Sequence, residues 1–173
     1  ELIQQYYVHL LIHFDKRRNV IQFLGWSKMV LSDFNQMDAY LVDQKTFFDF
    51  QFSLEELQQW AMREDANPMI KNQLEFWREM PDLYSGLKEL LRLNHQGTSG
   101  MLFREAVNNL EHYLQNNTDH HYFVGFNALN EAEERIIQEF LTAKQGTVIW
   151  DIDRFFYEDK VHSAGKFIRK YYR

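Results

Sequence analysis

The chain has no cysteine, which excludes a disulfide framework, a thiolate zinc site and a cysteine nucleophile at once. Proline stands only at positions 68 and 81, and glycine at seven of 173 positions, so long helices are expected. No apolar run approaches the ~18 residues of a membrane span, and no charged-then-apolar leader is visible. A soluble, cytoplasmic chain with no membrane partner is the expectation. Basic charge is scarce: 19 Lys and Arg stand against 25 Asp and Glu, a net charge of −6. That balance argues against a free-standing, non-specific DNA binder, which would be basic.

Apolar material is plentiful. Residues of that class make up 45%, with 15 Phe, 9 Tyr and 4 Trp, enough for a packed core and too much for a disordered tail. Length alone fits one domain, or one domain plus a piece of another. The chain opens on Glu1 and closes on the basic stretch KFIRKYYR, so it reads as a segment of a longer protein.

Helical patterning dominates the first 119 residues. A first helix is expected over about 2–14 and a second over 21–42, where Val30, Leu31, Phe34, Met37 and Leu41 line one face. Ser53-Leu-Glu-Glu56 has the form of a capping box and opens a short helix through Trp60. Asn67-Pro68 supplies a cap and a first-turn proline for the next helix. Pro81 then opens another, carrying Leu83, Leu87, Leu90 and Leu91 and stopped by Gly97. One more helix covers about 98–114. Buried Trp26, Trp60, Phe76 and Trp77, at about 1.5–3 kcal/mol each, suffice to hold this helical part.

After residue 119 the pattern changes. His121-Tyr-Phe-Val-Gly-Phe126 is aromatic and β-branched between polar turns, as a buried strand would be. Asn130-Glu-Ala-Glu133 caps a helix carrying Ile136, Ile137, Phe140 and Leu141, which Gly146 ends. Thr147-Val-Ile-Trp-Asp151 forms a second strand, and a last helix runs over about 161–172. A strand, a helix and a strand with this spacing suit a right-handed parallel crossover. Two parallel strands leave open edges, so they belong to a larger sheet. The fold class expected is mostly α, with a helical domain over 1–119 and a β-α-β piece plus a C-terminal helix over 120–173.

Few motifs carry chemistry. Gly165-Lys166 lacks the rest of a phosphate loop. His9 and His13 share a helix face, but Leu10 stands where a zinc protease has its glutamate. Asp33-Phe-Asn35-Gln-Met37 lacks the glycine and the final glutamate of a calcium loop. A nuclease site built from Asp82, Glu158 and Lys160 would need two acids and a lysine on one metal, and Pro81-Asp82 begins a helix instead. His112, His120 and His121 fit a polar turn. Asp151 and Asp153 follow the second strand, where open α/β sheets bind ligands; otherwise Asp153 caps the next turn and Asp151 is solvated. Lys166, Arg169, Lys170 and Arg173 share one broad helix face in a 13-residue stretch of charge +4, while the rest carries −10. They offer a phosphate-binding face, or simply complement the helix dipole. No catalytic residue, metal site or cofactor is expected within the segment.

Several phrases together resemble the AddB/RexB-type helicase–nucleases, often described as PD-(D/E)xK nuclease family proteins. They are Trp26-Ser-Lys-Met-Val-Leu-Ser-Asp-Phe-Asn-Gln-Met-Asp-Ala-Tyr-Leu-Val-Asp43, Gly100-Met-Leu-Phe-Arg-Glu105, Phe123-Val-Gly-Phe-Asn-Ala-Leu-Asn-Glu-Ala-Glu133, Trp150-Asp-Ile-Asp153 and His162-Ser-Ala-Gly165 with Phe167-Ile-Arg169. The likeness covers about 20–173 in the same order. It implies an ATP-dependent exonuclease of double-strand break repair and recombination, with this segment the helical insertion of a degenerate superfamily 1 helicase-like core. Partners so implied are the remainder of the parent polypeptide, an AddA-type helicase subunit, and DNA through the parent. Active helicases end the corresponding strand with Asp-Glu, which holds magnesium and the attacking water; here Tyr122-Phe-Val124 runs into Gly125-Phe126. The resemblance therefore implies a non-hydrolysing scaffold. The alternative expectation is a stand-alone helical protein-interaction module with no nucleic-acid role.

Overall fold

A computed structural model describes residues 20–61, 68–126 and 128–171, with side chains of 20–26, 55–61 and 68–76 left out of the description. The expected first helix, the His9–His13 pair, Asn67 and Arg173 lie outside the described residues. The elements run α1 (Val20–Ala39), α2 (Gln44–Ala61), α3 (Pro68–Leu93), α4 (Ser99–Asn116), β1 (His121–Val124), α5 (Glu131–Thr142), β2 (Gly146–Ile149), α6 (Arg154–Glu158), a 3₁₀ turn (Ser163–Gly165) and α7 (Lys166–Tyr171). The chain is mostly helical with one short parallel sheet. No helix among the described residues is long and apolar enough to cross a membrane. Two compact units divide between Met101 and Leu102, inside α4.

In the first unit the predicted stripe of α1 supplies the core. Val30, Phe34 and Met37 are buried against Phe48 of α2 and Met80, Leu83, Tyr84, Leu87 and Leu91 of α3. Phe34 meets the Tyr84 ring edge-on, 4.9 Å between centroids, a favoured aromatic geometry. Trp77 packs half-buried against this cluster.

Three expectations are corrected here. Pro81 does not open a helix; it lies inside the 26-residue α3. An interior proline costs about 3 kcal/mol. Met80, Leu83, Tyr84, Leu87 and Leu91 are each at most 4% exposed, and burial contributes about 1.5–3 kcal/mol apiece, so packing outweighs the break. Ser53 does not cap a helix; its hydroxyl donates back to the Asp49 carbonyl at 2.9 Å in mid-α2. The true start is Asp43, whose carboxylate accepts from the Thr46 amide at 2.8 Å, because Phe47 and Phe48 must pack. Gly97 does not stop α3 either. His95 takes the left-handed position (φ 53°), and the Gln96 and His95 amides return to the Leu91 and Arg92 carbonyls, the Schellman closure.

The entry to α4 is built across elements. Thr98 Oγ1 accepts from the Met101 amide at 3.2 Å, the ordinary N-cap bond. The next orphan amide, Gly100, donates to Asn35 Oδ1 of α1 at 2.7 Å, and Ser99 Oγ donates there too at 3.1 Å. Asn35 thus caps a helix 65 residues away. Phe34 and Met37 beside it are core residues.

The second unit contains the parallel crossover. β1 and β2 pair in parallel from His121↔Gly146 to Val124↔Ile149. α5 opens on the expected box: the Glu133 amide donates to Asn130 Oδ1 and the Asn130 amide to Glu133 Oε2, both at 2.9 Å. Ala132, Ile137 and Phe140 are buried. The Phe140 ring stands 5.4 Å from Phe123, so α5 covers one face of the sheet. Gly146 does not end α5; Lys144 does, at φ 58°. A Cβ at Gly146 would sit 2.9 Å from Phe140 Cβ and 3.2 Å from the Phe123 ring, so this glycine serves close helix–sheet contact. The opposite sheet face is open: Tyr122, Val124 and Ile149 are 67%, 57% and 47% exposed. The last helix is shorter than expected. The 161–165 stretch forms a bend and a 3₁₀ turn, and α6 precedes it unforeseen.

Candidate functional site

The carboxyl ends of β1 and β2 are where an open α/β sheet binds ligands. β1 leaves through Gly125, whose φ of 81° favours glycine. β2 leaves through Trp150, which lies flat against Tyr171 of α7, with centroids 5.6 Å apart and planes within 1°. Burial, opposed by the Leu129 amide and by Lys170, holds the Tyr171 hydroxyl above its ordinary pKa. Asp151 is exposed beyond the strand end. Asp153 is the N-cap of α6, accepting from the Phe155 amide at 2.7 Å.

Of the four cations expected on one face, the three described differ in their surroundings. Arg169 is turned inward. Its Nη1 donates to the carbonyls of Phe156, Tyr157 and Asp159 at 2.9, 3.2 and 2.9 Å, and its Nη2 to that of His162 at 3.0 Å. One guanidinium therefore satisfies the C-terminal carbonyls of α6 and the bend beyond it, using the fixed fork that lysine lacks. Gly165 makes room: a Cβ there would lie 2.1 Å from Arg169 Nη1 and 2.6 Å from the Phe156 carbonyl oxygen. Lys170 pairs with Glu134 of α5 at 2.8 Å, and that bond raises its pKa. Lys166 is exposed, its Nζ 5.9 Å from the Phe167 ring centre. Of the residues expected to share a phosphate-binding face, Arg169 and Lys170 are engaged within the unit.

The bend at 159–162 is fixed from inside as well. Asp159 Oδ1 accepts from the Val161 and His162 amides at 2.9 and 3.2 Å, and those two bonds hold its carboxyl below the ordinary pKa. His162 Nδ1 accepts from the Ala164 amide at 3.1 Å. Glu158 pairs with Arg154 at 2.6 Å, while Asp82 is an exposed residue of α3. The histidines near β1 have local partners: His120 Nε2 meets Thr147 Oγ1 at 2.8 Å and His121 Nε2 meets the Tyr113 hydroxyl at 3.2 Å. Among the described residues no three His, Asp or Glu side chains converge as metal ligands would.

One polar constellation went unread in the sequence. In the first unit Tyr84, 1% exposed, donates its hydroxyl proton to Asp38 Oδ1 at 2.5 Å. The same hydroxyl accepts from Gln44 Nε2 at 2.6 Å and from Lys88 Nζ at 3.0 Å. Lys88 also reaches Asp38 at 3.3 Å, the two side chains 14% and 2% exposed. A buried ion pair is kept only where hydrogen bonds complete it. A faint signal existed: Asp38 falls four residues after Phe34 on an otherwise apolar stripe, and Tyr84 and Lys88 are one turn apart. Gln44, Tyr84 and Lys88 of this cluster line an open groove of about 750 Å³ whose walls include Ser85, Glu89, Arg92 and His95.

No protein-family model, curated protein or solved structure matches the chain.

Proposed function

We propose that this chain is a non-catalytic, helicase-like segment of an AddB-type helicase–nuclease of DNA double-strand break repair. In this reading it is a scaffold for DNA-end handling and for contact with a helicase subunit. The observation that carries the reading is the β1–α5–β2 crossover, which follows a mostly helical stretch in the sequence. Its strands pair only with each other among the described residues, and Tyr122, Val124 and Ile149 stand exposed on the uncovered face. Such a pair is too small to be a stable sheet alone, and doubly wound folds cover both faces. The acid-free end of β1 at Gly125 agrees with a core that does not hydrolyse ATP.

The test is to determine the complete reading frame and assay the protein it encodes. Further core strands upstream, a PD-(D/E)xK cluster downstream and ATP-dependent degradation of duplex ends by that protein would support the proposal. A frame lacking both would defeat it, as would ATP turnover or strand cleavage by the 173-residue chain alone. A stand-alone protein-interaction module remains the second reading, favoured by the internal engagement of Arg169 and Lys170. Binding to DNA that weakens steeply with salt would count against it.

A further inference from the structure

The groove beside α3 goes beyond that reading, and its test stands independently of it. Concave sites with a few convergent polar groups are where small ligands bind. Here Tyr84 and Lys88 line the groove, and both are bonded to Asp38, which is 1% exposed. Lys88 uses two N–H groups on Asp38 and Tyr84, which leaves a third donor for the groove it lines. Gln44 faces it from α2, its amide nitrogen fixed on the Tyr84 hydroxyl at 2.6 Å. Along α3, Ser85 precedes Lys88 by one turn and Arg92 follows by one; from Ser85 to Arg92 is about 10 Å at the helical rise.

Charge decides what fits. The wall sets Lys88 and Arg92 against Glu89, which gives room for one anionic group rather than the run of phosphates that a bare nucleic-acid strand presents. One anionic group beside Lys88 and Ser85, with hydroxyls to donate to Glu89, suits this wall better, because a carboxylate accepts from a ligand diol. Leu93, 72% exposed, adds an apolar edge to the lining. We propose that this groove binds a small hydroxylated phosphate ester, the chemistry shared by a nucleotide and a sugar phosphate.

The test is calorimetric titration of the full chain with AMP, ribose 5-phosphate, adenosine and inorganic phosphate. Saturable binding of at least one ester is expected, with adenosine weaker than AMP by about tenfold or more, as loss of a charge-assisted contact implies. Binding of both esters identifies the sugar phosphate as the recognised part; binding of AMP alone identifies a nucleotide. Lys88→Gln should weaken every phosphate-bearing probe by about tenfold. Because Lys88 also serves the fold, Glu89→Gln is the second variant. It should weaken the esters while leaving inorganic phosphate unchanged or tighter. No saturation by either ester below about 10 mM, adenosine binding equal to AMP, or esters indifferent to Glu89→Gln would each overturn the proposal.

Discussion

Replacing Gly100 by alanine is the sharpest probe of how the first unit is assembled. A Cβ at this position would lie 2.0 Å from the Asn35 carbonyl oxygen, 3.0 Å from its carbon and 3.1 Å from the Ala39 nitrogen. All three are backbone atoms of, or beside, a packed stretch of α1, so no flexible side chain can yield. Relief requires the start of α4 to retreat by more than about 1 Å, to reach an ordinary van der Waals separation. The Gly100 amide to Asn35 bond, now 2.7 Å, would then exceed hydrogen-bonding range. Overpacking of this kind costs about 1–3 kcal/mol and the lost bond about 0.5–1.5 kcal/mol. Alanine's better helix propensity returns less than about 1 kcal/mol. The expected net loss is about 2–3 kcal/mol. Urea unfolding followed by tryptophan fluorescence reads it directly, since Trp26, Trp60 and Trp77 belong to the first unit. Asn35→Ala alone should cost about 1 kcal/mol, as loss of a helix cap does, and the double variant should lose less than the sum. A Gly100→Ala protein within about 0.5 kcal/mol of the parent, or strict additivity, would refute the account of this contact.

Two further outcomes follow from the second unit. Arg169→Ala should lower its stability by about 2–4 kcal/mol, because four carbonyls lose charge-assisted donors. Arg169→Lys should not restore it, and a melt showing full rescue would remove the forked clamp from the explanation. Asp159 has a folded-state pKa below its unfolded value. Its contribution is therefore complete above the unfolded pKa and lost as pH falls through the lower folded one. Stability of the second unit should decline on acidification below about pH 4, and Asp159→Asn should flatten that decline in denaturation curves measured across the range.

Much of the helical pattern was legible because periodicity reports burial. Val30, Phe34 and Met37 read as a core stripe and are one, and Asn130 with Glu133 caps α5 as its spacing announces. Punctuation was less legible. Gly97 and Gly146 are poor guides to helix ends here, because Leu41, His95 and Lys144 close their helices in the left-handed conformation, which side chains ordinarily disfavour. Pro81 was misread because its penalty is local while the apolar row on either side of it is longer than any local window. Ser53 with Glu56 has a capping sequence but lies mid-helix, since two phenylalanines upstream draw the start back to Asp43. Among the site residues, Arg169 shows the limit most plainly. Its spacing from Lys166 and Lys170 describes a helix face, whereas its partners are carbonyls of a preceding element that no periodicity connects.

The uncovered side of the β1–β2 pair has a practical consequence for handling the protein. Tyr122, Val124 and Ile149 form an oily landing spot in the native state. A solvatochromic probe would bind the folded chain and glow before any heating. Dye-based melting curves would begin high and report little, and a chain in good order would resemble a loosened one. Intrinsic fluorescence and circular dichroism escape that confusion.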